Sequence, residues 1–135
     1  MRLNLDCVRD ILLCVEDVSG PHRPCMFTDF GSSDSSDYPD VTIPPYQIAL
    51  NQKYSNDEFI YHIKYCSDAS LVSGFHYYTN ELFCIDDLAP LGHEFLANIR
   101  SDSNYHWLKN ALSKIGSDAI PIAMQLIADH LLGMR

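Results

Sequence analysis

The chain has 135 residues, of which 47% are hydrophobic and 20% charged, so it is long enough for one domain with a substantial core. Its 18 acidic and 9 basic residues give a formal net charge of −9, which weakens nonspecific attraction to nucleic-acid phosphates and favours basic protein partners or simple solubility. Five scattered cysteines, an odd number, argue against a secreted disulfide framework.

The N-terminus MRLNLDCVRD carries an acid too early for a signal peptide, and no apolar run approaches the length of a membrane span. We therefore expect a cytoplasmic protein with reduced thiols and no membrane association.

The first element is a helix over residues 5–18, for which Asn4 is a plausible N-cap and Gly20-Pro21 a stop signal. Residues 19–40 then predict a flexible acidic loop, because the run GSSDSSDYPD is polar and acidic. Its aspartates lack the spacing of a calcium loop, and His22 and Cys25 form only half of a zinc site.

Pro44-Pro45 interrupts the next apolar stretch and predicts a short strand near Gln47–Leu50 that pairs with a later ribbon. A central helix follows, with Ser55 and Glu58 at the spacing of a capping box and an end near Ala69. Its apolar face consists of Phe59, Ile60, Ile63 and Cys66, its opposite face of Asp57, Tyr61 and Lys64, and His62 and Tyr65 lie on the flank.

Aromatic and β-branched residues from Leu71 to Ile85, with a turn at Thr79–Glu81, predict a two-stranded ribbon. Pro90 suits the first position of another helix, on which we expect Leu91, Phe95 and Ile99 to face the core. Gly92 lies early in that helix, where Gly is worse than Ala by roughly 1 kcal/mol, so it predicts the close approach of another backbone, from the ribbon or the first helix.

Two more helices complete the chain. One spans residues 103–115, with Leu108, Leu112 and Ile115 inward and Gly116 as its stop. The last has two apolar sides, one with Ile122 and Leu126, and is either a dimerisation or partner surface or a helix packed between the first and fourth. The order of these predicted helices and strands indicates a single α+β domain over residues 1–135 with a winged-helix-like fold. It has a small antiparallel sheet and a helical extension at 101–135.

Three segments resemble a known family. They are the opening MRLNLDCVRDILL, the segment from Tyr54-Ser55 through Tyr61-His62 to Leu71-Val72, and Leu88 with the run GHEFL (residues 92–96) and Ile99-Arg100. The family, domain of unknown function 2513, consists of small proteins of phages, prophages and other bacterial mobile elements. The resemblance implies a winged-helix-like fold and a mobile-element association, but no reaction and no ligand. The family usually has Thr at the position of Ala89, so the N-cap there is lost or moves to Asp87.

The outward face of the central helix is the candidate for binding nucleic acid or a protein partner. In helix-turn-helix folds, residues on this face of the recognition helix reach the bases. Asp57, Glu58 and Asp68 on the same helix oppose a nucleic-acid role, and only one clear helix precedes the ribbon. The candidate residues are Ser55, Asn56, Tyr61, His62, Lys64 and Tyr65.

The leading hypothesis is a non-catalytic regulatory or adaptor protein of phage type that acts through nucleic acid or a protein partner. The alternative is an acidic inhibitor whose carboxylates imitate phosphates on a basic host protein. We expect no catalytic residues, cofactor or metal, because Cys66 lies on an apolar stripe where a thiol is inert. A metal site would require His62, Cys66 and Cys84 to converge. An enzyme would require a pocket that brings His62, His76 or His93 near Cys84 or Glu94.

Overall fold

The computed structural model describes residues 1–30, 43–116 and 119–133, which form six helices and two short antiparallel sheets. The helices are α1 (Leu5–Val18), α2 (Pro45–Lys53), α3 (Asn56–Asp68), α4 (Pro90–Ile99), α5 (Asp102–Ile115) and α6 (Ile120–Gly133). The strands are β1 (Cys25–Thr28), β2 (Val72–Ser73), β3 (His76–Tyr77), β4 (Leu82–Ile85) and β5 (Asp87–Leu88). The predicted α+β class is confirmed.

The sequence signals for helix ends are confirmed at three helices. Asn4 caps α1 by accepting from the Asp6 N–H, and Ser55 and Glu58 form both halves of the capping box on α3. Gly116 ends α5 in the left-handed conformation, with φ 76°. At α4 the cap position is Ala89, which offers no side-chain bond, so the N-cap is lost as the departure from the family pattern implied.

The strand predicted near Gln47–Leu50 is wrong, because these residues lie within α2. Pro45 occupies the first turn of α2, where backbone N–H groups make no hydrogen bond within the helix, so the N–H that proline lacks is not needed. Pro44 is the N-cap. The proline pair therefore begins a helix instead of interrupting a strand.

The first strand lies earlier in the chain, at β1, inside the segment predicted as loop from 19 to 40. Residues 31–42, which include Asp34, Asp37 and Asp40, lie outside the described residues. Since β1 precedes α2 and α3, two helices stand between the first strand and the ribbon, and the prediction of a single helix there is wrong.

Helix α2 covers the edge of β1 with two side chains. In the three-stranded sheet, of order β1-β4-β3, β1 lies at an edge and its outer backbone groups need partners. The buried Gln47 amide accepts from the Thr28 N–H at 2.8 Å and donates to the Thr28 carbonyl at 2.6 Å, while the Tyr46 hydroxyl donates to the Met26 carbonyl. The amide therefore pairs with β1 much as a neighbouring strand would.

The predicted ribbon is present, but it is divided between the two sheets. Strand β3 pairs with β4, and β2 pairs with β5 in a separate two-stranded sheet. One face of the three-stranded sheet packs on the core through Phe27 and Phe83, whose rings stack with centroids 5.4 Å apart, and Phe59 of α3 meets Phe27 edge-on at 5.2 Å.

Helices α4, α5 and α6 pack against one another. The sequence correctly placed Phe95, Ile99, Leu108 and Leu112 in the core, but Leu91 and Ile115 are exposed, so their inward assignments are wrong. On α5 the buried stripe starts one turn earlier, at Tyr105. The aromatic ring of Trp107 stacks on the imidazole of His130, with centroids 3.7 Å apart, which joins α5 to α6.

The close backbone approach predicted at Gly92 is present. A Cβ on Gly92 would overlap the carbonyl oxygen of Leu71 and lie 2.9 Å from its carbonyl carbon. That oxygen also accepts from the Ala89 N–H at 2.9 Å, so it cannot move away freely. The neighbour is the residue between α3 and β2, at the start of the ribbon.

Gly92→Ala should therefore lower the free energy of unfolding by about 1–3 kcal/mol, because overpacking against fixed backbone outweighs the gain in helix propensity. Chemical denaturation would measure it. Gly20→Ala is the control, since a Cβ there meets nothing within 4 Å, and it should be neutral or stabilise by up to about 1 kcal/mol. A higher midpoint for Gly92→Ala would contradict the close-approach argument.

Candidate functional site

Two of the six candidate residues, Ser55 and Asn56, use their side chains in hydrogen bonds that hold the start of α3 in place. Ser55 is the cap, and its hydroxyl accepts from the Glu58 N–H at 3.2 Å. The Asn56 side-chain amide donates to Asp29 at 3.1 Å and accepts from the Phe30 N–H at 3.1 Å, so it joins α3 to the segment after β1. Both side chains therefore hold α3 in place.

His62 is completely buried, not placed on the flank as the helical wheel indicated. Its Nδ1 lies 2.6 Å from the Glu58 carbonyl, which can only accept, so Nδ1 carries the proton. Its Nε2 accepts from the Asn4 N–H at 2.8 Å. The imidazole is thus neutral, uses both ring nitrogens, and joins α3 to the N-cap of α1.

The remaining candidates stay accessible. Tyr61 is 37% exposed and Lys64 is exposed, whereas Tyr65 is partly buried and its hydroxyl accepts from the Ile120 N–H at 3.4 Å. The structure therefore separates the six residues into a structural group and an accessible group of Tyr61, Lys64 and Tyr65.

Tyr61 and Tyr65 line a groove of about 830 Å³, which we call the tyrosine groove. Its other walls are the N-terminal residues Met1 to Leu3 and α5. The lining is mixed, because apolar Leu3, Leu5 and Leu112 alternate with the cationic side chains of Arg2 and Lys109. The groove is open to solvent along its length and offers both apolar and cationic contacts.

Lys109 belongs to a charged cluster at one end of this groove. Its Nζ lies 3.0 Å from the Asp6 carboxylate, which also accepts from the Tyr105 hydroxyl, and the Arg9 guanidinium lies 4.4 Å from the centroid of the Tyr105 ring. Partial burial would raise the pKa of the Asp6 carboxyl, but the bonds from Tyr105 and Lys109 outweigh it and hold the pKa below its ordinary value. Burial and the bond to Asp6 raise the pKa of Tyr105.

Sequence reasoning missed Arg2 and Lys109 as groove residues. The available signal on α5 was the spacing of Tyr105 and Lys109, which are four residues apart and therefore adjacent on one side of the helix. The pairing of α5 with the N-terminal residues is a long-range contact that no local pattern indicates.

Beside the groove, the exposed face of α3 is not basic. Its exposed positions after the cap are Asp57, Tyr61, Lys64 and Asp68, which carry two negative charges and one positive charge. The exposed residues of β3 and the turn after it, His76 to Asn80, include no lysine or arginine.

The structure brings together one of the cysteine–histidine pairs named for an enzyme. The Sγ of Cys84 lies 3.5 Å from Nε2 of His76. His62 and His93 lie elsewhere, with His93 Nε2 4.0 Å from the Asp87 carboxylate. Cys66 is fully buried, and this burial raises the pKa of its thiol, as expected for an inert cysteine.

In the described part of the chain, no three His, Cys, Asp or Glu side chains converge on a point where they could hold a metal ion, so His62, Cys66 and Cys84 do not form the site considered from the sequence. Each of the five cysteines is a free thiol. Among the described helices, none has the length and apolar character needed to cross a membrane.

These features define a small α+β protein that has six described helices, two short antiparallel sheets and a groove lined by tyrosines. The chain belongs to the family of hypothetical proteins designated domain of unknown function 2513, whose family model matches residues 2–118. The family resemblance is therefore confirmed. No curated protein and no solved structure matched the chain.

Replacing His62 tests its structural role. His62→Leu should cost about 1–3 kcal/mol of stability, because the partly buried N–H of Asn4 loses its acceptor. Thermal and denaturant unfolding would measure the loss, with His106→Leu as control, since His106 is exposed on α5 and should change stability by less than about 0.5 kcal/mol. Equal effects of the two substitutions would show that the bond to Asn4 contributes little.

Proposed function

We propose that this protein is a non-catalytic regulatory or adaptor protein of the phage and mobile-element type. It acts in the bacterial cytoplasm by binding a protein partner through the tyrosine groove and the adjoining exposed face of α3. The observation that carries this proposal is the groove itself, where Tyr61 and Tyr65 lie beside Arg2 and Lys109. Tyrosine and arginine are the residue types enriched in binding hot spots.

A winged-helix-like reading of the fold supports this choice of surface. The order α1, β1, α2, α3 and the β3–β4 ribbon, with β1 against β4, is the order expected of such a fold. In such a fold α2 and α3 would be the two helices of the helix-turn-helix, and α3 would be the recognition helix. Tyr61 and Lys64 lie on its outward face.

The charge of this face favours protein over nucleic acid as the partner. Phosphate recognition requires cations in contact with the backbone, but Asp57 and Asp68 flank the single Lys64 on α3. Four of the cationic side chains elsewhere already pair with acids: Arg9 with Asp102, Lys53 with Asp10, Arg100 with Glu16 and Lys109 with Asp6.

The alternative, an acidic inhibitor that imitates nucleic acid, is favoured by the net charge of −9. In that case the carboxylates of α3, Asp57 and Asp68, would face a basic site on a host protein. The two proposals share the surface but differ in the partner's charge.

The non-catalytic assignment is supported by the surroundings of the thiols. Cys84, the cysteine that meets a histidine, is fully buried, so a substrate could not approach its sulfur without rearrangement. A nucleophilic thiol needs an open approach for its substrate.

Titration with duplex DNA and with RNA at two salt concentrations tests the choice of partner class. We expect no measurable binding at low salt. Binding that weakens steeply with salt and is lost in Lys64→Glu would overturn the assignment of a protein partner, because counterion release is the sign of phosphate contacts.

Site-specific photo-crosslinking tests the surface. A photoreactive residue at position 61 should form one defined protein adduct in the native bacterium, whereas the same residue at the exposed position 110 of α5 should not. The adduct should be lost in an Arg2→Ala background with the stability unchanged, because Arg2 lines the groove and is exposed. Equal crosslinking from both positions would show that the groove is not the binding surface. If basic peptides of unrelated sequence suppress formation of the adduct, the result would favour the acidic inhibitor.

We also propose that α6 contributes to a homodimer, because Ile122 is 41% and Leu132 61% exposed on its outer side. Light scattering over a range of protein concentrations should show a dimer that Ile122→Glu dissociates. Ile48→Glu is the matched control, since Ile48 is 44% exposed on α2 and should leave the mass unchanged. A monomer at all concentrations would exclude this use of α6.

A further inference from the structure

The tyrosine groove reverses the charge balance of the chain as a whole. The sequence has 18 acidic and 9 basic residues, which is two acids for every base. The described residues that line the groove include two bases, Arg2 and Lys109, and no acid. A cationic concave surface attracts anionic ligands and repels cationic ones, so the charge of the groove restricts the kind of partner that it can hold.

The two bases differ in how much of their charge is available to a ligand. Arg2 is exposed, and its guanidinium has no hydrogen bond or ion pair with any described residue. The Nζ of Lys109 lies 3.0 and 3.2 Å from the two oxygens of the Asp6 carboxylate, which offsets part of its charge. An ammonium has three N–H donors, so at least one remains for a ligand. Arg2 therefore supplies the free positive charge, and Lys109 supplies a further donor.

The uncharged polar groups of the groove are also donors in need of an acceptor. The hydroxyls of Tyr61 and Ser113 make no hydrogen bond with any residue that the structure describes. The Tyr65 hydroxyl accepts from the Ile120 N–H, so its own proton is still free to be donated. An excess of donors is matched by a group that only accepts, and among protein side chains that group is an ionised carboxylate.

The N-terminal wall of the groove offers backbone groups as well. Residues 1–3 precede α1, and within the described part of the chain their backbone N–H and carbonyl groups have no hydrogen-bond partner. The next residue, Asn4, is extended, with φ −114° and ψ 109°, and His62 accepts from its N–H. A segment whose free backbone groups are held beside a groove can take up an extended peptide through the hydrogen bonds of an added strand.

We infer that the tyrosine groove binds an acidic segment of a partner protein in an extended conformation. This inference rests on the proposed function of the groove as a protein-binding surface. The carboxylates of the segment accept from Arg2 and Lys109, its backbone pairs with residues 1–3, and its apolar side chains cover Leu3 and the tyrosine rings. Nucleic-acid phosphate is a poorer match, because it requires several free cations, and Arg2 is the one lining cation without a partner among the described residues.

Selection from a displayed library of random peptides tests the inference. Peptides enriched on the unchanged protein should carry more aspartate, glutamate and apolar residues than the starting library, and less lysine and arginine. The most enriched peptide, labelled with a fluorophore, should bind with an affinity that falls as salt is added, because the paired charges are exposed to solvent. Arg2→Glu should weaken this binding by roughly tenfold or more, since it turns an attraction into a repulsion.

Lys114→Glu is the matched control, because it changes the net charge equally and Lys114 is exposed on α5 without lining the groove. It should change the affinity by less than about twofold, since solvent screens a charge outside the site. Both substituted residues are exposed, so both variants should fold as the unchanged protein does. Equal weakening by the two substitutions, or enrichment of neutral or basic peptides, would overturn the acidic segment.

Tyr61→Ala separates failure of this inference from failure of the proposed function. If neutral or basic peptides are enriched and bind Tyr61→Ala more weakly, the groove remains the protein-binding surface and only the charge of the partner is wrong. If the enriched peptides bind Tyr61→Ala and Arg2→Glu as tightly as they bind the unchanged protein, they bind elsewhere, and both the inference and the proposed surface fail. A library from which no peptide is enriched would overturn the inference of a bound extended segment.

Discussion

The arrangement of the tyrosine groove depends on one buried histidine. His62 donates to the Glu58 carbonyl within α3 and accepts from the backbone N–H of Asn4, 58 positions earlier in the chain. A buried N–H without a partner is costly, so this bond fixes where α1 begins relative to α3. Residues 1–3 consequently lie beside Tyr61 and Tyr65, and the groove exists because its N-terminal wall is held there.

The helices could be predicted from sequence because their signals are local. Capping residues, a left-handed glycine and apolar periodicity each act within a few residues. Helices α1, α3 and α5 begin and end, and α4 begins, close to where those signals placed them. The two misassigned segments, β1 and the start of α2, share a different cause. Strand β1 is only four residues long, and its pairing with β4 depends on residues more than fifty positions away. Pro44-Pro45 is compatible with a strand edge or with a helix start, and only the partner of Gln47 decides between them.

The candidate site could be predicted only in part for the same reason. Periodicity correctly left Tyr61 and Lys64 exposed, but it cannot show whether a polar residue on the flank of a helix has a buried partner. His62 and Asn56 both have such partners, at the N-cap of α1 and beside β1 respectively. His62 is thereby removed from the accessible surface, whereas Asn56 stays half-buried with its side-chain amide already bonded. Arg2 and Lys109 were missed because the walls of the groove are contributed by opposite ends of the chain. A helical wheel of α3 alone shows neither these hydrogen-bond partners nor the other walls of the groove.

The two faces of β4 have different roles that follow from one register. Phe83 stacks on Phe27 and meets Phe59, and this aromatic packing fixes the pairing of β1 with β4, because a slip of one residue would turn the phenylalanines away from the core. Alternation along the strand then places Cys84 on the opposite face. The same register sets Met26 and His76 beside it. The contact between the Cys84 sulfur and the His76 imidazole on the outer face is therefore a consequence of core packing.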